Sequence, residues 1–295
     1  MNLNKVNWYK KYTPWLFILP TVLGLLIFRL IPIFAALFLS FTRWSLLGKP
    51  QWIGFSNYIE AFTTKSFFEI IGNTFEFSLI YVIGSMVLGL GLAVLVNIKM
   101  KGIGAFRAII YLPVVTSAVA VGIVWNWILG PRFGILSVFL EKFMETSPYW
   151  LTDPKLALRS VATVQVWKMS GYYMILFLAG LQSIPRDALE AATVDGASSA
   201  QKFFRITLPM LSPTVFFVLT ITIIDSFKNF ELIYSMTKGG PQNASNTLVY
   251  DVYLNAFVHY RVGYAAAIAY VLFLVVGVLT ILNFQVRSRW AKPLN

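Results

Sequence analysis

SIPRDALEAATVDGASSAQKFFRITLPMLSP, running from Ser183 to Pro213, is a long polar stretch set between two apolar runs. Pro185 and Asp187 suit the first turn of a helix, because proline needs no donor there and a carboxylate favours the positive end of the helix dipole. Good helix formers continue from Ala188 to Thr193, and Gly196 then interrupts them. Ser198 and Gln201, three residues apart, form a capping box, so a second short helix is expected to start there and to end before Pro209. The product is a helix-turn-helix hairpin. On its first arm Leu189, Ala192, Thr193 and Gly196 share a face of small groups. On its second arm Phe203 and Phe204 supply apolar anchors.

Outward from this hairpin the chain is apolar. Of its 295 residues 58% are hydrophobic and 12% charged, and its mean hydropathy of +0.70 lies outside the range of water-soluble domains. A spanning helix needs about 20 apolar residues. Such runs occur near 14–41, 73–97, 108–129, 160–181, 211–228 and 265–286, which predicts an all-α integral membrane protein with six transmembrane helices in a lipid bilayer. The period-two alternation of a membrane barrel is absent. The first run is too long for the apolar core of a cleaved leader and contains Arg29, so it reads as a retained helix whose arginine faces protein or snorkels outward. On the second run Ser85 and Gly89 make a small-xxx-small pair, with Gly84 and Gly91 nearby, which allows close helix contact.

Charge fits the same picture. The net charge of +12 comes from dispersed lysines and arginines with no aromatic-interleaved patch, so no nucleic acid partner is implied. Lys5, Lys10 and Lys11, then Lys99, Lys101 and Arg107, then Arg186, Lys202 and Arg205, and finally Arg287, Arg289 and Lys292 lie densely in short segments. By the positive-inside rule these are cytoplasmic, which puts both termini and the 182–208 segment inside.

Several chemistries are excluded. There is no cysteine, hence no disulfide, thiolate metal site or thiol redox chemistry. His259, the single histidine, makes neither a metal site nor an acid–base pair. No GxxxxGK[ST] phosphate loop is present; Gly48-Lys49-Pro50 is the nearest fragment, so this chain does not hold ATP by that route and binds no cofactor of its own. A membrane enzyme would need clustered acids or histidines, and a secondary transporter would show related halves; neither pattern is evident.

Polar groups within apolar runs mark candidate pathway positions, because charge at depth is costly and faces a cavity or a partner. They are Lys168 with Tyr172 and Tyr173, then Asp225, Asn229 and Glu231, and Trp125 with Asn126. Aromatic faces beside hydrogen-bonding groups suit sugar rings. The alternative is that the aromatics form an interfacial belt and that Asp225 pairs with Lys168 or Lys228.

Glu190-Ala191-Ala192, then Gly196, then Ile206-x-Leu208-Pro209 resembles the "EAA" signature of binding-protein-dependent ABC importer permeases. The resemblance implies a type I, MetI-like permease fold in which the 183–209 loop is a cytoplasmic coupling-helix hairpin docking on an ATPase. It implies that Glu190 pairs with a basic residue of that ATPase, that Ala191 and Ala192 are the close-contact surface, and that Gly196 is the turn, with Asp195, Ile206, Leu208 and Pro209 completing the motif. Further likeness to sugar-type permeases lies in Leu19-Pro20, Gly54-Phe55, Tyr111-Leu112-Pro113, Ala179-Gly180-Leu181-Gln182 and Lys238-Gly239-Gly240-Pro241. The maltose permease carries extra helices and a large outer insert that this chain lacks, so glycerol-3-phosphate and smaller oligosaccharide importers are the nearer likeness.

The partners implied are a second homologous permease subunit in a heterodimer, two copies of an ABC ATPase carrying ATP and Mg²⁺, and an extracytoplasmic solute-binding protein. The domains expected are 1–69 with the first helix and outer loop, a permease core over 70–286, and a cytoplasmic tail over 287–295.

Overall fold

The computed structural model describes residues 3–98, 100–131, 133–143 and 147–290, with side chains described between 12 and 285. Lys99 and Lys292 lie outside the described residues, as do the side chains of Lys5, Lys10, Lys11, Arg287 and Arg289. The chain divides into two compact units: one runs up to Thr63 and includes Val252–Tyr270, the other comprises Thr64–Asp251 and the chain from Val271 onward.

The first unit begins with α1 (Leu3–Leu25) and α2 (Ile31–Ser40), joined without a bend by a π turn at Leu26–Leu30. The Ile31 amide bonds the Leu26 carbonyl, and Pro32 follows at once. Proline has no amide for the carbonyl four residues back and its ring crowds that turn, so a widened turn just before it relieves both problems. Arg29 sits in this turn and is exposed on the described chain. Strands β1 (Thr42–Arg43) and β2 (Gln51–Trp52) pair antiparallel, Thr42 opposite Trp52. The short α3 (Ser56–Thr63) buries Asn57, whose amide donates to the Ser40 and Thr42 carbonyls at 2.8 and 2.9 Å.

In the second unit α4 (Lys65–Val96), 32 residues and about 48 Å long, packs along α8 (Ala157–Gln182) as its main helix pair. Between them come α5 (Ile103–Val115), α6 (Ala118–Ile128) and α7 (Ile135–Leu140). After α8 follow α9 (Arg186–Val194), α10 (Ser199–Lys202), α11 (Leu208–Met210), α12 (Ser212–Ser226) and α13 (Glu231–Met236). The chain closes with α14 (Leu248–Tyr253) and α15 (Val262–Trp290).

The expected single run at 108–129 is instead a broken helix, α5 and α6 meeting at 96°. Pro113 lies inside α5, and Thr116 and Ser117 adopt extended backbone that ends it. The run at 211–228 is likewise the second arm of a bent pair, Ser199–Met210 and Ser212–Ser226 at 67°. Among the described residues three helices are long and apolar enough to cross a membrane, or five if each bent pair is one span. The run at 160–181 forms α8, which is long enough but polar on several sides because it is wrapped by protein: Ser160, Lys168 and Ser170 are all buried. A helix shielded from lipid need not be apolar all round.

Small residues set the spacing. A Cβ on Gly89 would come within 2.8 Å of Tyr173 Cβ, and one on Gly84 within 2.8 Å of Val166 Cγ2. Gly171 of α8 is tighter, since its Cβ would meet the Ile110 carbonyl oxygen of α5. Gly91, by contrast, has open space. Gly171→Val should therefore lower the unfolding midpoint of the purified permease by the equivalent of about 1–3 kcal/mol of overpacking. Gly91→Ala, with open space for its Cβ inside α4, should not lower it. Equal midpoints for the two variants would contradict this packing.

Candidate functional site

The hairpin forms at residues 186–210. Pro185 stands at the N-cap of α9 and Asp187 lies in its first turn. At the far end the Ala197 amide bonds the Ala192 carbonyl at 2.9 Å and the Gly196 amide bonds the Thr193 carbonyl at 3.1 Å. These two bonds are a Schellman stop, with Gly196 at φ +76°. Nothing lies within 4 Å of a Cβ built there, so it is backbone conformation, not crowding, that calls for glycine. The capping box is present: the Ser198 amide donates to Gln201 Oε1 at 2.8 Å, and the Gln201 amide to Ser198 Oγ at 3.3 Å. Lys202 Nζ donates to Thr193 Oγ1 at 3.1 Å and ties the two arms together.

The second arm does not end before Pro209. A π turn at Phe203–Thr207 carries it on to Met210, with the Leu208 amide on the Phe203 carbonyl. As at Pro32, the wide turn immediately precedes a proline, and it lets the helix pass through before bending at Leu211. Leu211 is buried against Gly180, where an added Cβ would sit 2.8 Å from Leu211 Cδ1.

The face of small groups on the first arm is corrected in part. Ala192 is buried within the chain and Leu189 half-buried, so Ala192 does not belong to an outer contact surface. The outward side carries Glu190, Ala191, Val194 and Asp195 together with Thr193 and Gly196 of the expected face, Val194 being 87% exposed. Ile206 and Leu208 are half-buried and Pro209 is exposed; Phe203 is half-buried and Phe204 exposed.

The pathway candidates fall into separate clusters. Tyr173 of α8 shares a 2.8 Å hydroxyl hydrogen bond with Tyr81 of α4 and donates to Asp225 Oδ2 of α12 at 3.3 Å. Asp225 thus takes its bond from a tyrosine, not from Lys168 or Lys228. Tyr172 packs edge-on to Tyr173, ring centroids 5.3 Å apart.

Lys168, also on α8, is buried and donates to the Val114 carbonyl at 3.3 Å. It therefore caps the last turn of α5 where the chain breaks. Beside it Trp167 meets Trp125 edge-on at 5.2 Å. Asn126 Nδ2 donates to the Met236 carbonyl at 2.8 Å, capping the short α13 in the same way.

Asn126 also lines a cavity of about 430 Å³ with Trp127, Phe133 and Ser235, and the other pathway candidates are not among its walls. Asn229 is buried in the non-helical stretch between α12 and α13, its amide nitrogen without a partner, and Glu231 is exposed at the start of α13. Tyr81 was not anticipated. A tyrosine in mid-run at 73–97 is the available signal, because a hydroxyl inside an apolar helix needs a partner.

A family model for a binding-protein-dependent transport system inner membrane component matches residues 85–292. A probable ABC transporter permease protein, YesP of Bacillus subtilis, is 38% identical over 282 residues, covering 93% of this chain and 90% of its own. The multiple sugar-binding transport system permease protein MsmF of Streptococcus mutans is 34% identical, covering 98% and 99%. A chain of a bacterial alginate ABC transporter, solved in complex with an alginate pentasaccharide-bound periplasmic protein, superposes with a TM-score of 0.85 at 26% identity, covering 96% and 98%.

If Ser198 anchors the second arm as the geometry indicates, Ser198→Ala should cost about 1 kcal/mol locally. Hydrogen exchange at Ser199–Lys202 should then run about fivefold faster. Unchanged exchange would remove the cap from the account.

Proposed function

We propose that this chain, which belongs to the binding-protein-dependent ABC importer permeases, carries a carbohydrate across the cytoplasmic membrane, with the Gly196-hinged hairpin as its contact to the ATPase. The chain is a multi-pass inner-membrane transport subunit, not an enzyme, and its family works with an ATPase and a solute-binding protein. One observation carries the coupling assignment. A hairpin stopped by a Schellman turn and started by a capping box holds Glu190 and Ala191 outward, in a chain with no phosphate loop. Rigid, capped arms can transmit a push that a floppy loop would absorb.

The finer assembly is a heterodimer with a homologous permease, two ATPase copies holding ATP and Mg²⁺, and both termini on the cytoplasmic side. Glu190, exposed on the first arm, is the ion-pair partner for a basic residue of the ATPase.

Substrate passes where helices break. From the hairpin end, the 15 residues of α12 reach about 22 Å. The irregular stretch from Phe227 to Phe230 then falls inside the hydrocarbon layer, where open backbone is tolerated only in protein or along a polar cavity. Asp225, Asn229 and Glu231 surround that stretch, and Trp125, Asn126, Lys168, Tyr172 and Tyr173 belong to the helices around it. A sugar-import reading is supported by the relatives named for sugar and by the alginate transporter neighbour.

Labelled-sugar uptake by the reconstituted complex, read alongside co-purification of the ATPase, separates coupling from passage. Gly196→Leu and Glu190→Gln should abolish or cut uptake more than tenfold and weaken ATPase retention. Uptake at the unsubstituted level would overturn the coupling role. Asp225→Ala should reduce uptake while the ATPase stays bound, and full uptake in that variant would take Asp225 out of the pathway.

A further inference from the structure

A cavity beside the hairpin shares Arg186 and Leu189 with its first arm. It encloses about 860 Å³ between the end of α4, the start of α5, the end of α8 and the start of α9. Among the described residues three cations, Lys101, Arg107 and Arg186, line it, and none of its described walls is an aspartate or glutamate; Glu190 lines the adjoining cavity. Arg107 is held in place by one bond, Nη2 to the Val96 carbonyl at 2.8 Å, while its Nε is buried with no partner. Two helices start at the cavity without side-chain caps, α5 at Ile103 behind Gly102 and α9 at Arg186 behind Pro185. The positive ends of their helix dipoles add to the potential of the side chains.

We propose that this cavity binds the phosphate headgroup of an anionic phospholipid. The shared chemistry is a phosphate anion held by arginine and lysine, which a basic pocket between membrane helices is suited to take. A lipid is favoured over a soluble phosphate because the walls are amphipathic. Ile103 and Leu181 line the cavity beside the cations, and Ile98 and Met100 on its edge are exposed apolar side chains. Acyl chains would cover such groups; a free phosphate would leave them in water. The inference rests on the proposed membrane orientation only for which leaflet supplies the lipid.

The assembled transporter, purified in neutral detergent, is titrated with phosphatidylglycerol, phosphatidylcholine or inorganic phosphate, and binding is read by native mass spectrometry. Phosphatidylglycerol should bind selectively. Replacing Lys101, Arg107 and Arg186 by Gln should weaken it about fivefold per cation removed. The charge-keeping pair Arg107→Lys and Arg186→Lys should retain it, which separates loss of charge from loss of fold. Equal binding of phosphatidylcholine, displacement by inorganic phosphate alone, or glutamine variants that keep the lipid but lose the ATPase would each overturn the assignment. No outcome depends on sugar uptake, so the coupling proposal stands or falls separately.

Discussion

Lipid supplies no hydrophobic force to hold one apolar helix to another, so α4 and α8 stay together by close packing and by polar bonds across the seam. Gly84 and Gly89 allow the approach, and Tyr81 meets Tyr173 within it. That hydroxyl pair extends to Asp225 on α12, which joins three helices through one chain of hydrogen bonds. Such a network, once satisfied, rigidifies what it connects. The same α8 runs straight into Ser183 and the hairpin, while Gly180 near its end lets Leu211 seat at the base of the second arm. A displacement of the hairpin thus bears on the helix that also anchors the polar groups of the proposed pathway.

The broken helices follow from the same economy of backbone bonds. A helix that stops inside a bundle leaves carbonyls without amides, and side chains from neighbouring helices take their place. Lys168 serves the end of α5 and Asn126 the end of α13. Polar residues that look like pathway candidates in the sequence therefore have structural duties as well. A buried lysine on a carbonyl is satisfied without a carboxylate, which is why the expected ion pair with Asp225 has no need to form.

What the sequence made legible was local. Ser198 and Gln201, Gly196, and the apolar runs at 73–97 and 265–286 are read from residue type and spacing alone, and the capping box, the left-handed glycine and the long helices all stand in the structure. The misreadings were those in which tertiary context decides. A proline stops a helix unless a π turn opens before it, as at Pro209, and periodicity does not reveal that a run such as 108–129 is folded back by two extended residues. Nor does a motif say which of two adjacent alanines points out, and here it is Ala191. The link from Tyr81 to Asp225 joins positions more than a hundred residues apart, beyond the reach of any local rule.

The central claim is that the outward face of the hairpin meets the ATPase. Because the chain has no cysteine, a single one introduced at Ala191 reports alone. In the assembled transporter, short-span cross-linking from Ala191→Cys should join this permease to the ATPase and change in yield when ATP is bound. A cysteine there that links only to lipid-soluble reagents, with the ATPase present and active, would contradict the account.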